Sequence, residues 1–101
     1  MEIITMVKGQ IPEESEQAFE QAYAAIKKEP VPEGLIASYL LKDMIVPHMY
    51  IVETVWANQE ALKKIMEEET VSSDVMLFEK FEVRAVVDVH QVRDNYPQYE
   101  D

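Results

Sequence analysis

The chain has 101 residues and a formal net charge of −11, from 20 acidic against 9 basic side chains. That length is one domain, and a hydrophobic fraction of 48% excludes a disordered chain. So acidic a surface argues against nucleic acid and anionic membranes as partners, and the absence of cysteine excludes disulfides, thiolate metal sites and cysteine nucleophiles.

The start, Met1-Glu2-Ile3-Ile4-Thr5, lacks the basic and apolar blocks of a signal peptide, so a cytoplasmic protein is expected. No apolar run reaches membrane-spanning length. Glu2 to Lys8 is predicted as a strand ended by Gly9. Pro12 suits the start of a helix, and Glu13, Glu14 and Glu16 suit its positive end. From Glu13 to Lys28 the apolar residues Ala18, Phe19, Ala22, Tyr23 and Ile26 recur at helical spacing, with Lys27 and Lys28 in the last turn. Pro30 and Pro32 stop this helix, and Gly34 completes the connection.

Leu35 to Asp43 is predicted as the second strand and, after a short connection, His48 to Ala57 as the third. Asn58 is a sound N-cap for a helix running to about Glu68, with Ala61, Leu62, Ile65 and Met66 on one face. Between Thr70 and Phe81, the residues Val71, Val75 and Phe78 fit a short helix that Ser72 or Ser73 could cap. Glu82 to Val92 is predicted as the last strand. Residues 1–93 then form the domain, and 94–101 a polar tail, loosely held or an arm. The order β-α-β-β-α-β, with an extra helical turn before the last strand, is the α+β, ferredoxin-like arrangement: an antiparallel sheet with its helices on one face.

Helices on one face leave the other bare, and a wet face should alternate apolar and polar residues. These strands do not alternate cleanly. Leu35, Ala37, Tyr39 and Leu41 stand opposite Ile36, Ser38 and Leu40; Met49, Ile51 and Val55 opposite Tyr50, Val52 and Trp56; Val83, Ala85, Val87 and Val89 opposite Val86 and Val92. A second apolar face is uncommon on a monomer, and its natural cover is a second copy packed sheet against sheet, a homodimer.

Candidate chemistry is sparse. His48 and His90 are the only imidazoles, His48 as a solvent-facing turn residue. Asp88-x-His90 offers two ligands where a metal needs three or four, so no metal site is expected. Glu67-Glu68-Glu69 reads as a solvated helix end. Glu53 lies mid-strand among apolar neighbours, where a buried carboxylate would have a raised pKa and could act as a base; an edge position or a salt bridge across a dimer is the simpler explanation. Trp56, Tyr50, Tyr39, Tyr23, Phe78 and Phe81 could line a cavity for a planar aromatic ligand, or simply pack the core. With only Gly9 and Gly34, no phosphate-cradling loop is present.

Several segments together resemble the antibiotic biosynthesis monooxygenase family of dimeric α+β barrels. They are Val7-Lys8-Gly9-Gln10-Ile11-Pro12, Pro32-Glu33-Gly34-Leu35-Ile36-Ala37-Ser38, Leu41-Lys42-Asp43 with Pro47, and Glu53-Thr54-Val55-Trp56-Ala57-Asn58-Gln59-Glu60-Ala61-Leu62. The resemblance covers about residues 2 to 92. It implies a ferredoxin-like fold dimerising through its sheets and a monooxygenase that oxidises a small phenol, quinol or other aromatic with O2, with no tightly bound cofactor. With that chemistry in view, Trp56, Tyr50 and Glu53 are the catalytic candidates and Tyr23, Tyr39, Phe78 and Phe81 the pocket walls; Trp56 and Tyr50 border the pocket if their face meets the helices, Tyr39 and Glu53 if the opposite face does. The rival reading is a non-catalytic dimeric module that binds a small apolar ligand or regulates another protein. The family also holds haem-degrading members, which use an Asn in the first strand, a second Trp in the following helix and a His on iron. Here the first strand offers Thr5, the helix offers Leu62, Ile65 and Met66, and no His lies between His48 and His90.

Overall fold

The structure, a computed structural model, describes residues 1–68 and 73–97. Its first strand, β1 (Ile3–Gln10), follows the pleat: Ile3, Thr5 and Val7 are buried, while Ile4, Met6 and Lys8 are only half-covered. Pro12 does start helical structure, but Glu13–Ser15 is a 3₁₀ turn, and the α-helix α1 spans Glu16–Ile26. Lys27 and Lys28 fall just beyond it, their N–H groups donating to the carbonyls of Ala24 and Ala25.

Strand β2 (Leu35–Lys42) begins after Gly34, whose φ of +87° lies in the left-handed region. The Gly34 carbonyl accepts the Ala57 N–H at 2.8 Å, which ties the start of β2 to the end of β3 (Met49–Trp56). Asp43 is outside β2. Its carboxylate accepts the N–H groups of Ile45 and Val46, and these bonds hold it below the usual carboxylate range. His48, just before β3, has φ +62°. Asn58 caps α2 (Gln59–Glu68) by accepting the Ala61 N–H at 2.9 Å. The short helix is present as α3 (Ser73–Glu79); Val71 and the cap proposed at Ser72 lie outside the described residues. Glu82, at φ +60°, then breaks the chain direction. The last strand, β4, is therefore only Val86–Gln91, and Val83 and Ala85 pack against the core from the connection. Asp94 to Pro97 are exposed, and the rest of the tail lies outside the described residues, as does Glu69.

The sheet order is β2-β3-β1-β4, every neighbouring pair antiparallel, which is the ferredoxin-like arrangement. The helices cover one face, over a core of Val7, Ile11, Phe19, Tyr23, Tyr50, Val52, Leu77 and Phe78. Phe19 is its centre, with its ring 4.8 Å from Phe78, 5.1 Å from Tyr50 and 5.5 Å from Phe81.

The register assigns every strand residue to a face. Ser38, Leu40, Tyr50, Val52, Thr54, Trp56, Ile3, Thr5 and Val7 face the helices. A register shift at Ile36 moves Leu35 to that face too, opposite Trp56, and away from Ala37, Tyr39 and Leu41. The outer face carries Tyr39, Leu41, Ile51, Glu53, Val55, Ile4, Met6, Val86, Asp88 and His90.

Candidate functional site

Directly paired strand residues share a face, so the register builds a row across the helix side of the sheet: Ser38, Thr54, Thr5 and Val89. Three of the four carry hydroxyls, in the middle of an otherwise apolar surface. Each hydroxyl is held by a group from elsewhere. Tyr23 on α1 shares a 2.8 Å hydrogen bond with Ser38. The Trp56 indole Nε1 donates to Thr5 Oγ1 at 3.2 Å. Thr54 Oγ1 donates to Asp74 Oδ2 on α3 at 3.3 Å. Thr5, Thr54 and Trp56 are buried, and Asp74 is half-buried. Burial pushes the Asp74 carboxyl above the ordinary Asp range, opposed only in part by the Thr54 hydrogen bond.

The row meets solvent at both ends, at Ser38 on β2 and at Val89 on β4. Val87 and Val89 pair with Val7 and Thr5 and so share the helix side, yet they are 49% and 55% exposed because no helix of the described residues covers β4. They form an apolar shelf leading to Thr5.

A second polar group closes the far end of the sheet, about 13 Å away along β3. Lys42 Nζ lies 2.8 Å from Glu16 Oε1, and His48 Nδ1 lies 3.2 Å from Glu16 Oε2. The Tyr50 hydroxyl donates to Glu20 Oε2 at 2.6 Å, and Lys42 stands 5.8 Å over the Tyr50 ring. Lys42 above all, then His48 and Tyr50, holds Glu16 below the usual carboxylate range against the opposing effect of burial. Burial and the two glutamates push the Tyr50 phenol far upward, so it stays neutral. His48 is therefore half-buried and engaged with α1, where the sequence suggests a solvent-facing turn residue.

The residues anticipated as a site separate into three groups. Trp56 belongs to the hydroxyl row, with Tyr23. Tyr50, Phe78 and Phe81 belong to the aromatic core around Phe19, where they fill space. Glu53 and Tyr39 stand directly opposite each other on the outer face, on the other side of the sheet from Trp56 and Tyr50. Asp88 and His90 also face outward, with Asp88 3.6 Å from Lys8. An open depression of about 490 Å3 beside α3, lined by Val75, Glu79, Glu82, Val83, Arg84 and Ala85, includes none of the anticipated residues.

Ser38, Thr54 and Asp74 were not singled out from the sequence. The available signal was a small hydroxyl residue at a core-facing position of each of three strands, and it needs the register to become a row.

Imidazole is the axial haem ligand weighed from the sequence, and neither histidine lies near this row. His48 stands at the opposite end of β3 and is held by Glu16, and His90 points away from the helices. Neither fits axial ligation there.

The sequence profile of the family described as antibiotic biosynthesis monooxygenase matches residues 2–72, from β1 through α2. No curated protein matches the chain in sequence. Among solved structures, a candidate antibiotic biosynthesis monooxygenase from Deinococcus radiodurans superposes with a TM-score of 0.72 at 13% identity, over 97% of this chain and 99% of that one. SnoaB, a cofactor-independent oxygenase from Streptomyces nogalater, gives 0.64 at 16% identity, over 96% and 98%. A haem-degrading protein from Mycobacterium tuberculosis gives 0.66 at 15% identity, over 94% and 98%. Identities this low speak for the fold alone, whereas the profile covers most of the sequence: the chain belongs to the antibiotic biosynthesis monooxygenase family.

Proposed function

We propose that this protein is a cofactor-independent monooxygenase that oxidises a small phenol or quinol with O2, working as a homodimer in the cytoplasm. The hydroxyl row on the helix side of the sheet carries this reading. A planar phenol needs apolar walls and a few fixed polar atoms to orient its oxygen, and Thr5 beside the Val87–Val89 shelf supplies that combination. The chemistry needs no external reductant. A phenol with a free para carbon gives four electrons to O2, gains one oxygen atom as a quinone, and releases the other as water. An electron-rich phenolate can begin that exchange by itself, so the protein's task is to orient the ring and exclude water.

Trp56 then fixes the Thr5 hydroxyl, Tyr23 fixes Ser38, and Tyr50, Phe78 and Phe81 make the floor of the site rigid. Glu53 and Tyr39, on the outer face, are assigned to the contact with the second copy. The net charge of −11 speaks against nucleic acid and anionic lipid as partners, and among the described residues no helix is long and apolar enough to cross a membrane.

The test is oxygen uptake by the purified protein offered a panel of phenols, naphthols and quinols, with labelled O2 to follow the atom. Uptake above autoxidation with one labelled oxygen in the product is expected. Rates equal to buffer across the panel would overturn the enzyme reading in favour of a binding module.

A further inference from the structure

Asp74 is a carboxyl in an unusual position. It belongs to the first turn of α3, where an acid normally serves the helix by accepting backbone N–H groups or by standing near its positive end. Its hydrogen bond instead goes to the sheet, from the Thr54 hydroxyl. Among the described residues it has no other hydrogen bond and no ion pair. The ion pairs of the described residues join Lys8 to Asp88, Lys42 and His48 to Glu16, and Lys64 to Glu33, and none includes Asp74. A half-buried carboxyl with no ion pair and no capping hydrogen bond among the described residues is expensive to keep for structure alone.

We propose that Asp74 is the catalytic base that takes the hydroxyl proton of the substrate, and that Thr54 is its positioning residue; this rests on the oxygenase reading above. Thr54 occupies Oδ2 and leaves Oδ1 for the substrate. The phenol O–H bond breaks, its proton passes to Asp74, and the electron pair stays on oxygen as phenolate, the species that gives electrons to O2. Thr5, adjacent to Thr54 in the row, is placed to hold that oxygen while the ring rests on Val87 and Val89. The upward shift of the Asp74 carboxyl by burial suits the task, because it brings the acceptor closer to a phenol in proton affinity. The substrate class follows: phenols and quinols still protonated at working pH, with a free hydroxyl able to reach the row.

The experiment compares the protein with Asp74→Asn and Thr54→Val in kcat/KM for O2 uptake on phenols of graded acidity. The ratio to the unaltered protein cancels each phenol's own reactivity. Asp74→Asn should lose about 10²–10⁴-fold on weakly acidic phenols, and the loss should shrink toward unity for phenols already ionised at the assay pH. Thr54→Val should show the same dependence with a smaller loss, about tenfold. An equal loss on every phenol, or none on the weakly acidic ones, would overturn the assignment of Asp74 while leaving the oxygenase reading in place. If the unaltered protein consumes no O2 with any phenol, the reading itself falls and the assignment with it. Unchanged far-ultraviolet circular dichroism accompanies both variants if the losses are chemical.

Discussion

A side chain at position 34 meets two obstacles. The backbone there has φ +87°, and a Cβ would run into the Cβ of Ala61 on α2. Gly34→Ala therefore combines backbone strain with overpacking, and should lower stability by about 2 kcal/mol or more, read from the urea midpoint. Asp74 shows the opposite balance. Its folded carboxyl holds a proton more tightly than the unfolded one, so the stability it contributes is complete below the ordinary Asp range and is lost as pH rises through the raised value. An amide cannot ionise and avoids that loss. Asp74→Asn should thus have a Tm at neutral pH no lower than the parent, while activity falls. A drop in Tm would mean that the carboxylate is needed for folding. Stability and chemistry pulling apart at one residue is what a site held against its own interest looks like.

Between elements, the Glu16–Lys42–His48 group locks the start of α1 to the β2–β3 hairpin. Glu16 is held below the usual carboxylate range, so its stabilising effect is present above that range and disappears as pH falls through the lowered value. Glu16→Gln should lose stability at neutral pH but flatten its decline between neutral pH and about pH 3, measured as urea midpoints along a pH series. Parallel declines would place the acid sensitivity elsewhere. Most element positions could be anticipated from the sequence, because Pro12, Gly34 and Asn58 punctuate the chain and the apolar period distinguishes helix from strand. The errors have local causes. Glu82 in the left-handed region shortens the last strand to Val86–Gln91, and a register shift at Ile36 turns Leu35 over. The site was less legible. Trp56 and Tyr23 stand out as aromatics on periodic faces, but Thr54, Thr5 and Ser38 become neighbours only through strand register. Asp74 meets Thr54 only through the packing of a helix that the sequence outlines weakly.

For the whole molecule, the outer sheet face is the surface that assembly would cover. Ile4, Met6, Ile51 and Val55 are half-covered there, while Tyr39 is 51% and Val86 57% exposed, on strands that carry no helix on that side. Covering several hundred Å2 of such surface at ~25 cal/mol per Å2 is worth several kcal/mol, comparable to a small domain's own stability. Glu53 and Tyr39 are paired on the β2–β3 half of this face, and Lys8 with Asp88 on the β1–β4 half, so a second copy would meet an apolar field with a few self-complementary polar pairs. Ile51 is the sharpest probe, because it lies on this face directly opposite Lys8. In a single chain, Ile51→Glu places a carboxylate beside that ammonium on an accessible surface, which folding tolerates. In a symmetric pair the same change puts two carboxylates into one desolvated contact. Sedimentation of the parent at micromolar concentration should give twice the 11.7 kDa of one chain, and the variant should sediment as folded single chains. A parent that sediments at 11.7 kDa would remove the dimer from the proposed function without touching the hydroxyl row, which is built from one chain alone.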